Sequence, residues 1–192
     1  MFSYIRSVTV LLLCLTLVTG GIYPLIVTSL AQLIFPQQAN GSVLMNAQGQ
    51  PIGSILVGQS FSAPNYFWSR PSATAPYANN AAASMGSNLG PTNPELVNVV
   101  AARISALKAL DPENTQTIPV DLVTASASGL DPHISVAAAE YQINRIAKQR
   151  RLATDVLRAL VVAHTEGRQW GIFGEPRVNV LKLNLALDAT VH

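Results

Sequence analysis

Apolar residues fall into one continuous run near the start of the 192-residue chain and into periodic stretches after it. From Val8 to Ile34 nearly every position is apolar, small or a hydroxyl, and no Lys, Arg, Asp or Glu stands between Arg6 and Arg70. Twenty-seven residues at about 1.5 Å each reach roughly 40 Å, more than the ~30 Å hydrocarbon core of a bilayer requires. The pattern predicts a short N-terminal segment over residues 1–7, a transmembrane anchor helix over 8–34 and a soluble domain over 35–192. Length argues against a buried core helix. A cleaved signal peptide is the competing reading, because Val18-Thr19-Gly20 offers small residues, but apolar sequence continues through Ile22, Leu25, Val27, Leu30 and Ile34. Gly20, Gly21 and Pro24 near the middle read either as a kink or as a seam against another helix.

Behind the anchor the periodicity changes. Ser42–Asn46 and Ile52–Val57 flank a turn at Gly49 and predict a hairpin, within a Gly-, Pro-, Asn- and Ser-rich stretch of strands and long turns that reaches about Gly90. Phe61, Tyr66, Phe67, Trp68 and Tyr77 interrupt that stretch, and their rings must pin it. Asn93-Pro94-Glu95 opens a helix that carries Leu96, Val99, Val100, Ile104 and Leu107 at helical spacing and stops at Asp111-Pro112. Ser135 caps a second helix with Ala139, Ile143 and Ile146 inward. Thr154 caps a third, with Gly167 as its stop. Residues 178–191 alternate at Leu181, Leu183, Leu185 and Leu187 as a strand would, yet Asn179 can cap a Leu/Ala-rich helix, the preferred reading. The fold class expected is α+β: one transmembrane helix and a single mixed domain.

Charge adds direction. Arg6 and the amino terminus flank one end of the anchor, whereas thirty-five uncharged residues follow the other. The positive-inside rule then places the N-terminus in the cytoplasm and the domain outside. Past residue 69 the balance is eleven basic against ten acidic, which gives no electrostatic case for nucleic acid. Arg145, Lys148, Arg150 and Arg151 cluster at the end of a helix, and a solvated end that complements the dipole is the expectation. Cys14 is the single cysteine, so no disulfide forms within the chain.

Catalytic motifs are scarce. Neither a phosphate loop nor a nucleophile elbow occurs, and Ser105-Ala106-Leu107-Lys108 matches S-x-x-K only inside a periodic helix. His133, His164 and His192 lack metal-ligand spacing. Asp131 and His133 near Ser126 and Ser128 suggest a hydrolase, although Asp131-Pro132 reads as turn chemistry. Two segments spend small polar residues where a core would not: Gly58–Ala73, with Gln59, Phe61, Arg70, Pro71 and Ser72, and Pro119–Pro132, with Thr124, Ser126, Ser128 and Gly129. They are either internal scaffolding or surfaces that another protein approaches.

Taken in order, these segments resemble a known family, the C subunit of the Kdp potassium-transporting ATPase. The resemblance is carried by Thr19-Gly20-Gly21-Ile22-Tyr23-Pro24-Leu25, Gln38–Ser42, Leu56-Val57-Gly58-Gln59, Tyr66-Phe67 and Arg70-Pro71-Ser72-Ala73-Thr74. It continues in Gly86-Ser87-Asn88-Leu89, Asn93–Leu96, Pro119 through Asp131, Ala138 with Gln142 and Arg145, Val178-Asn179-Val180 and Leu183-Asn184-Leu185. It implies an accessory, non-catalytic subunit of a complex that imports K⁺ at the expense of ATP. The implied partners are a channel-like K⁺-binding subunit, a P-type ATPase subunit, a small single-helix subunit and the lipid bilayer. The resemblance likens the Ser/Gly-rich segment, here Thr124–Gly129, to a nucleotide-contacting signature, whereas the charge argument places it away from cytoplasmic ATP. The expectation is no cofactor bound directly, with ATP acting through the ATPase subunit and K⁺ at the level of the complex. The family is described as a catalytic chaperone that raises the ATPase subunit's affinity for ATP. With Thr124–Gly129 outside the cell, that effect would be indirect. A signal-anchored external enzyme and a ligand-binding module acting alone are the alternatives.

Overall fold

A computed structural model describes residues 2–190; Val191 and His192, which the sequence reading included, lie outside the described residues. The chain divides into two compact units, residues 1–52 and 53–192.

The first unit is the apolar helix and a hairpin. Helix α1 (Phe2–Leu17) passes through a π-helical turn (Val18–Ile22) into α2 (Tyr23–Ile34), so helix begins before residue 8. Tyr4–Ile34 is long and apolar enough to cross a membrane, and its most apolar window buries nothing. The π turn has a local cause. Pro24 has no N–H for the Gly20 carbonyl and its ring would collide there. The backbone widens instead, the Tyr23 N–H reaching the Val18 carbonyl five residues back. Gly20 and Gly21 supply the bulk-free positions. After a one-turn helix α3 (Pro36–Ala39), β1 (Val43–Met45) pairs with β2 (Pro51–Ser54). Gly49 sits in their turn at φ +74, and the Asn46 side chain accepts from the Gln48 and Gln50 N–H groups.

The second unit is α+β, with most of its core in its C-terminal half. Helix α4 (Pro94–Leu110) is capped by Asn93 and α5 (Val136–Arg150) by Ser135, as the sequence predicts. The next helix departs from expectation. Thr154 is the first residue of α6 (Thr154–Ala163), and Ala153 holds the cap position without a side-chain bond. It stops at Ala163, before Gly167, because the His164 N–H closes onto the Leu160 and Val161 carbonyls and β4 (Thr165–Glu166) begins. In one antiparallel sheet β5 (Arg177–Asn179) lies between β3 (His133–Ser135) and β4, with Ile134 opposite Val178. Asn179 ends that strand and caps α7 (Val180–Ala189), so residues 178–189 are a strand end followed by the preferred helix.

Ile134, Ala138, Ile143, Ile146, Leu157, Val161, Val178, Leu183 and Leu187 form the core, and Phe67 joins it with no exposure. The stretch 58–90 contains no strand and is, over Phe61–Tyr77, the loop that the sequence predicts. Its only regular element is a 3-10 turn (Ala81–Ala83), and side chains satisfy its backbone.

Candidate functional site

An irregular segment buried against helices must find partners for its N–H and C=O groups. Here amide side chains take the place of a neighbouring strand. Asn184 on α7 accepts from the Phe67 N–H and donates to the Phe67 carbonyl, both at 2.9 Å. Gln142 on α5 treats Trp68 the same way, at 2.7 and 3.3 Å. Asn179 adds a bond to the Ile55 carbonyl at 2.8 Å while it caps α7. All three amides are 2 % exposed or less, so none is available for a ligand.

The basic cluster corrects a second expectation. Arg145 is 4 % exposed, donates to the Pro64 and Tyr66 carbonyls and to Gln142, and lies 5.3 Å from the Trp68 ring. Burial pushes its guanidinium down to about 10, so it keeps its charge at neutral pH. Arg150 donates to the Asn65 carbonyl and to Asp188, 4.6 Å from the Tyr66 ring, and Tyr66 completes the group with a bond to Asp188. Only Lys148 and Arg151 keep an open environment, Lys148 at Glu113 and Arg151 as the left-handed cap. The helix end is therefore a clamp on residues 63–68. The reason is length: two long cations one helical turn and a residue apart reach carbonyls that no strand covers.

The two small-residue segments meet each other. Ser72 donates to the Gly129 carbonyl at 2.7 Å, the Ser126 N–H reaches the Pro71 carbonyl at 3.1 Å, and Ser84 donates to the Ser128 carbonyl at 2.9 Å. Gly129 stands at φ +69 with Thr74 and the Met85 carbonyl against the place of a Cβ. Ser126 is buried, while Thr124 returns its hydroxyl to the Val120 carbonyl. Gln59 joins through its carbonyl, which accepts from Ser69, and Phe61 lies 5.7 Å from the Tyr66 ring. Asn88 is exposed at φ +53.

Arg70 lies between this knot and a cleft of about 570 Å³ lined also by Val120, Asp131, His133, Ser135 and Arg177. Its Nη1 is 3.1 Å from Asp131 Oδ2, and Asp131 Oδ1 accepts from the His133 N–H at 3.0 Å. The His133 ring lies 3.5 Å from Asp131 and 3.6 Å from Glu166. Burial opposes ionisation of Asp131, but bonds from His133 and the charge of Arg70 outweigh it and hold the carboxyl below its usual range. Glu166 is likewise held low, because bonds from Arg177 and Lys182 overcome its desolvation. The arrangement is two ion-paired carboxylates, Asp131 with Arg70 and Glu166 with Arg177 and Lys182, with the His133 ring between them. Ser135, the serine lining the cleft, spends its hydroxyl on Asp121 and on the Ala138 N–H, so no hydroxyl there is poised against His133. Among the described residues no group of His, Cys, Asp and Glu has the geometry of a metal site.

One feature of this unit has no counterpart in the sequence reading. Residues 168–175 form a tight hairpin whose tip exposes Trp170, Ile172 and Phe173. Three large apolar residues between Gly167 and Gly174, in a charged neighbourhood, were the available signal.

The family model described as K⁺-transporting ATPase, c chain (KdpC), matches residues 5–189. A curated "Potassium-transporting ATPase KdpC subunit" of Methylococcus capsulatus is 59% identical over 189 residues, covering 98% of this chain and 99% of the relative. Relatives of the same name from Methylibium petroleiphilum and Dechloromonas aromatica are 60% and 58% identical, each aligned over 98% of both chains. With the apolar helix, the α+β domain and the ordered motifs all inside the matched range, the chain belongs to the KdpC family of potassium-transporting ATPase subunits.

Proposed function

We propose that the chain is an accessory, non-catalytic subunit of an ATP-driven K⁺ import complex, anchored in the inner membrane with its N-terminus in the cytoplasm and its domain outside. The carrying observation is a family match whose range, residues 5–189, takes in both the apolar span and the folded domain. The partners are a channel-like K⁺-binding subunit, a P-type ATPase subunit and a small single-helix subunit. The anchor packs beside the channel-like subunit, with its glycine-lined π turn as the point of close approach. The domain sits over the entrance, where it stabilises the assembly and shapes K⁺ access. The site chemistry supports a structural, non-catalytic role, since the polar residues of the clamp and the knot are consumed by internal bonds. ATP and K⁺ act at the level of the complex. An effect on ATP affinity then works by biasing the conformations of the pump, a coupling free energy between distant sites.

Sidedness is the first test. Val97 on α4 is 62 % exposed and suits a probe. In a Cys14→Ser background, Val97→Cys is labelled by an impermeant thiol reagent in intact cells with a permeabilised outer membrane. Labelling only after lysis contradicts the orientation.

A further inference from the structure

The hairpin of residues 168–175 is well built at its base and costly at its tip. Arg168 Nη2 lies 2.8 Å from both carboxylate oxygens of Glu175, and Gln169 and Phe173 exchange both backbone bonds, at 2.9 and 3.0 Å. The turn places Trp170 at φ +54 and Gly171 at φ +76, positions that favour Gly, Asn or Asp. A Trp there is a conformational outlier. It is also 81 % exposed, with Ile172 at 72 % and Phe173 at 59 %, and its ring contact in the pair is an edge on Phe173 at 6.0 Å. The fold therefore carries a bulky ring where both backbone and water disfavour it, and the packing within the chain gives little in return. Strain of this kind is kept where something outside the chain uses it.

We propose that Trp170, Ile172 and Phe173 are a docking tip that enters an apolar socket on another subunit of the complex, an inference that rests on the subunit reading above. The neighbouring surface decides between occupants. Glu175, Pro176 and Arg177, the outgoing arm of the hairpin, line the 570 Å³ cleft with Arg70, Asp121, Asp131 and His133. Three carboxylates (Asp121, Asp131 and Glu175) beside two arginines (Arg70 and Arg177) lack the cationic excess that draws a segment onto a bilayer surface. They match a polypeptide rim that carries both signs. An aromatic anchor beside an arginine-bearing cleft is also the usual make-up of an energetic centre in protein–protein interfaces. Val120, 69 % exposed at the same cleft, extends the apolar contact.

The test uses the full chain co-expressed with the other subunits. Trp170→Asn places a residue that favours the left-handed backbone in the turn, so the fold is retained. Its retention in the affinity-purified complex is expected to fall roughly tenfold or more, as for a hot-spot tryptophan. Unchanged retention overturns the inference while leaving the subunit reading intact. If the unaltered chain itself travels alone, both fail. A photoreactive benzoylphenylalanine at Ile172 is expected to give an adduct with one other subunit. An adduct only with lipid, only with a second copy of this chain, or no adduct, overturns the assignment.

Discussion

Arg145→Met is expected to remove about 3–5 kcal/mol from the domain, since three acceptors lose a charged donor and the Trp68 ring loses its cation. Typical domains have only about 5–15 kcal/mol in all. At roughly 2–4 °C per kcal/mol for a protein of this size, the melting midpoint of the full chain in detergent falls by about 6–20 °C. Arg145→Lys recovers little, because one ammonium cannot span the Pro64 and Tyr66 carbonyls and Gln142 as a planar fork does. Arg151→Met, at the exposed cap, should change stability by less than about 0.5 kcal/mol. If Arg145→Met were as mild as Arg151→Met, the clamp would be a solvated helix end after all.

Gly129→Ala should cost about 2–4 kcal/mol. Its left-handed backbone contributes about 1–2 of that. The remainder comes from a Cβ placed 2.5 Å from Thr74 Cγ2 and 2.7 Å from the Met85 carbonyl, contacts that force the two loops apart. Gly171→Ala provides the comparison, because it shares a positive φ and meets nothing within 4 Å. It isolates the backbone part. The difference in denaturant midpoint between the two variants therefore measures the loop knot. Equal midpoints would mean that Gly129 faces open space, as it would if its segment served only to receive another protein.

The helices were legible because their signals are local. Asn93 and Ser135 occupy cap positions with the apolar period behind them, and both accept the predicted N–H. Thr154 misled because a hydroxyl before an apolar run is a good cap signal, yet the chain entered the helix one residue earlier. What holds residues 55–68 could not be read. Ile55, Phe67 and Trp68 bond to Asn179, Asn184 and Gln142, 74 to 124 positions away, and no periodicity encodes such a partner. Arg145 and Arg150 failed for the same reason: helix-end cations look alike in sequence whether they meet water or a remote carbonyl. The resemblance nevertheless singled out Gln142, Arg145, Asn179 and Asn184, all of which are buried and bonded. Trp170 went unmarked because an exposed aromatic in a turn has no period to belong to.

Co-purification tests the central claim most directly. The full chain, tagged and extracted in mild detergent from cells that also express the proposed partner subunits, is expected to bring down a channel-like K⁺-binding subunit, a P-type ATPase subunit and a small single-helix subunit. The isolated assembly should hydrolyse ATP in response to K⁺, and cells lacking the chain should yield neither assembly nor K⁺ uptake. A chain that elutes alone, or an assembly that forms and pumps K⁺ normally without it, would contradict the account.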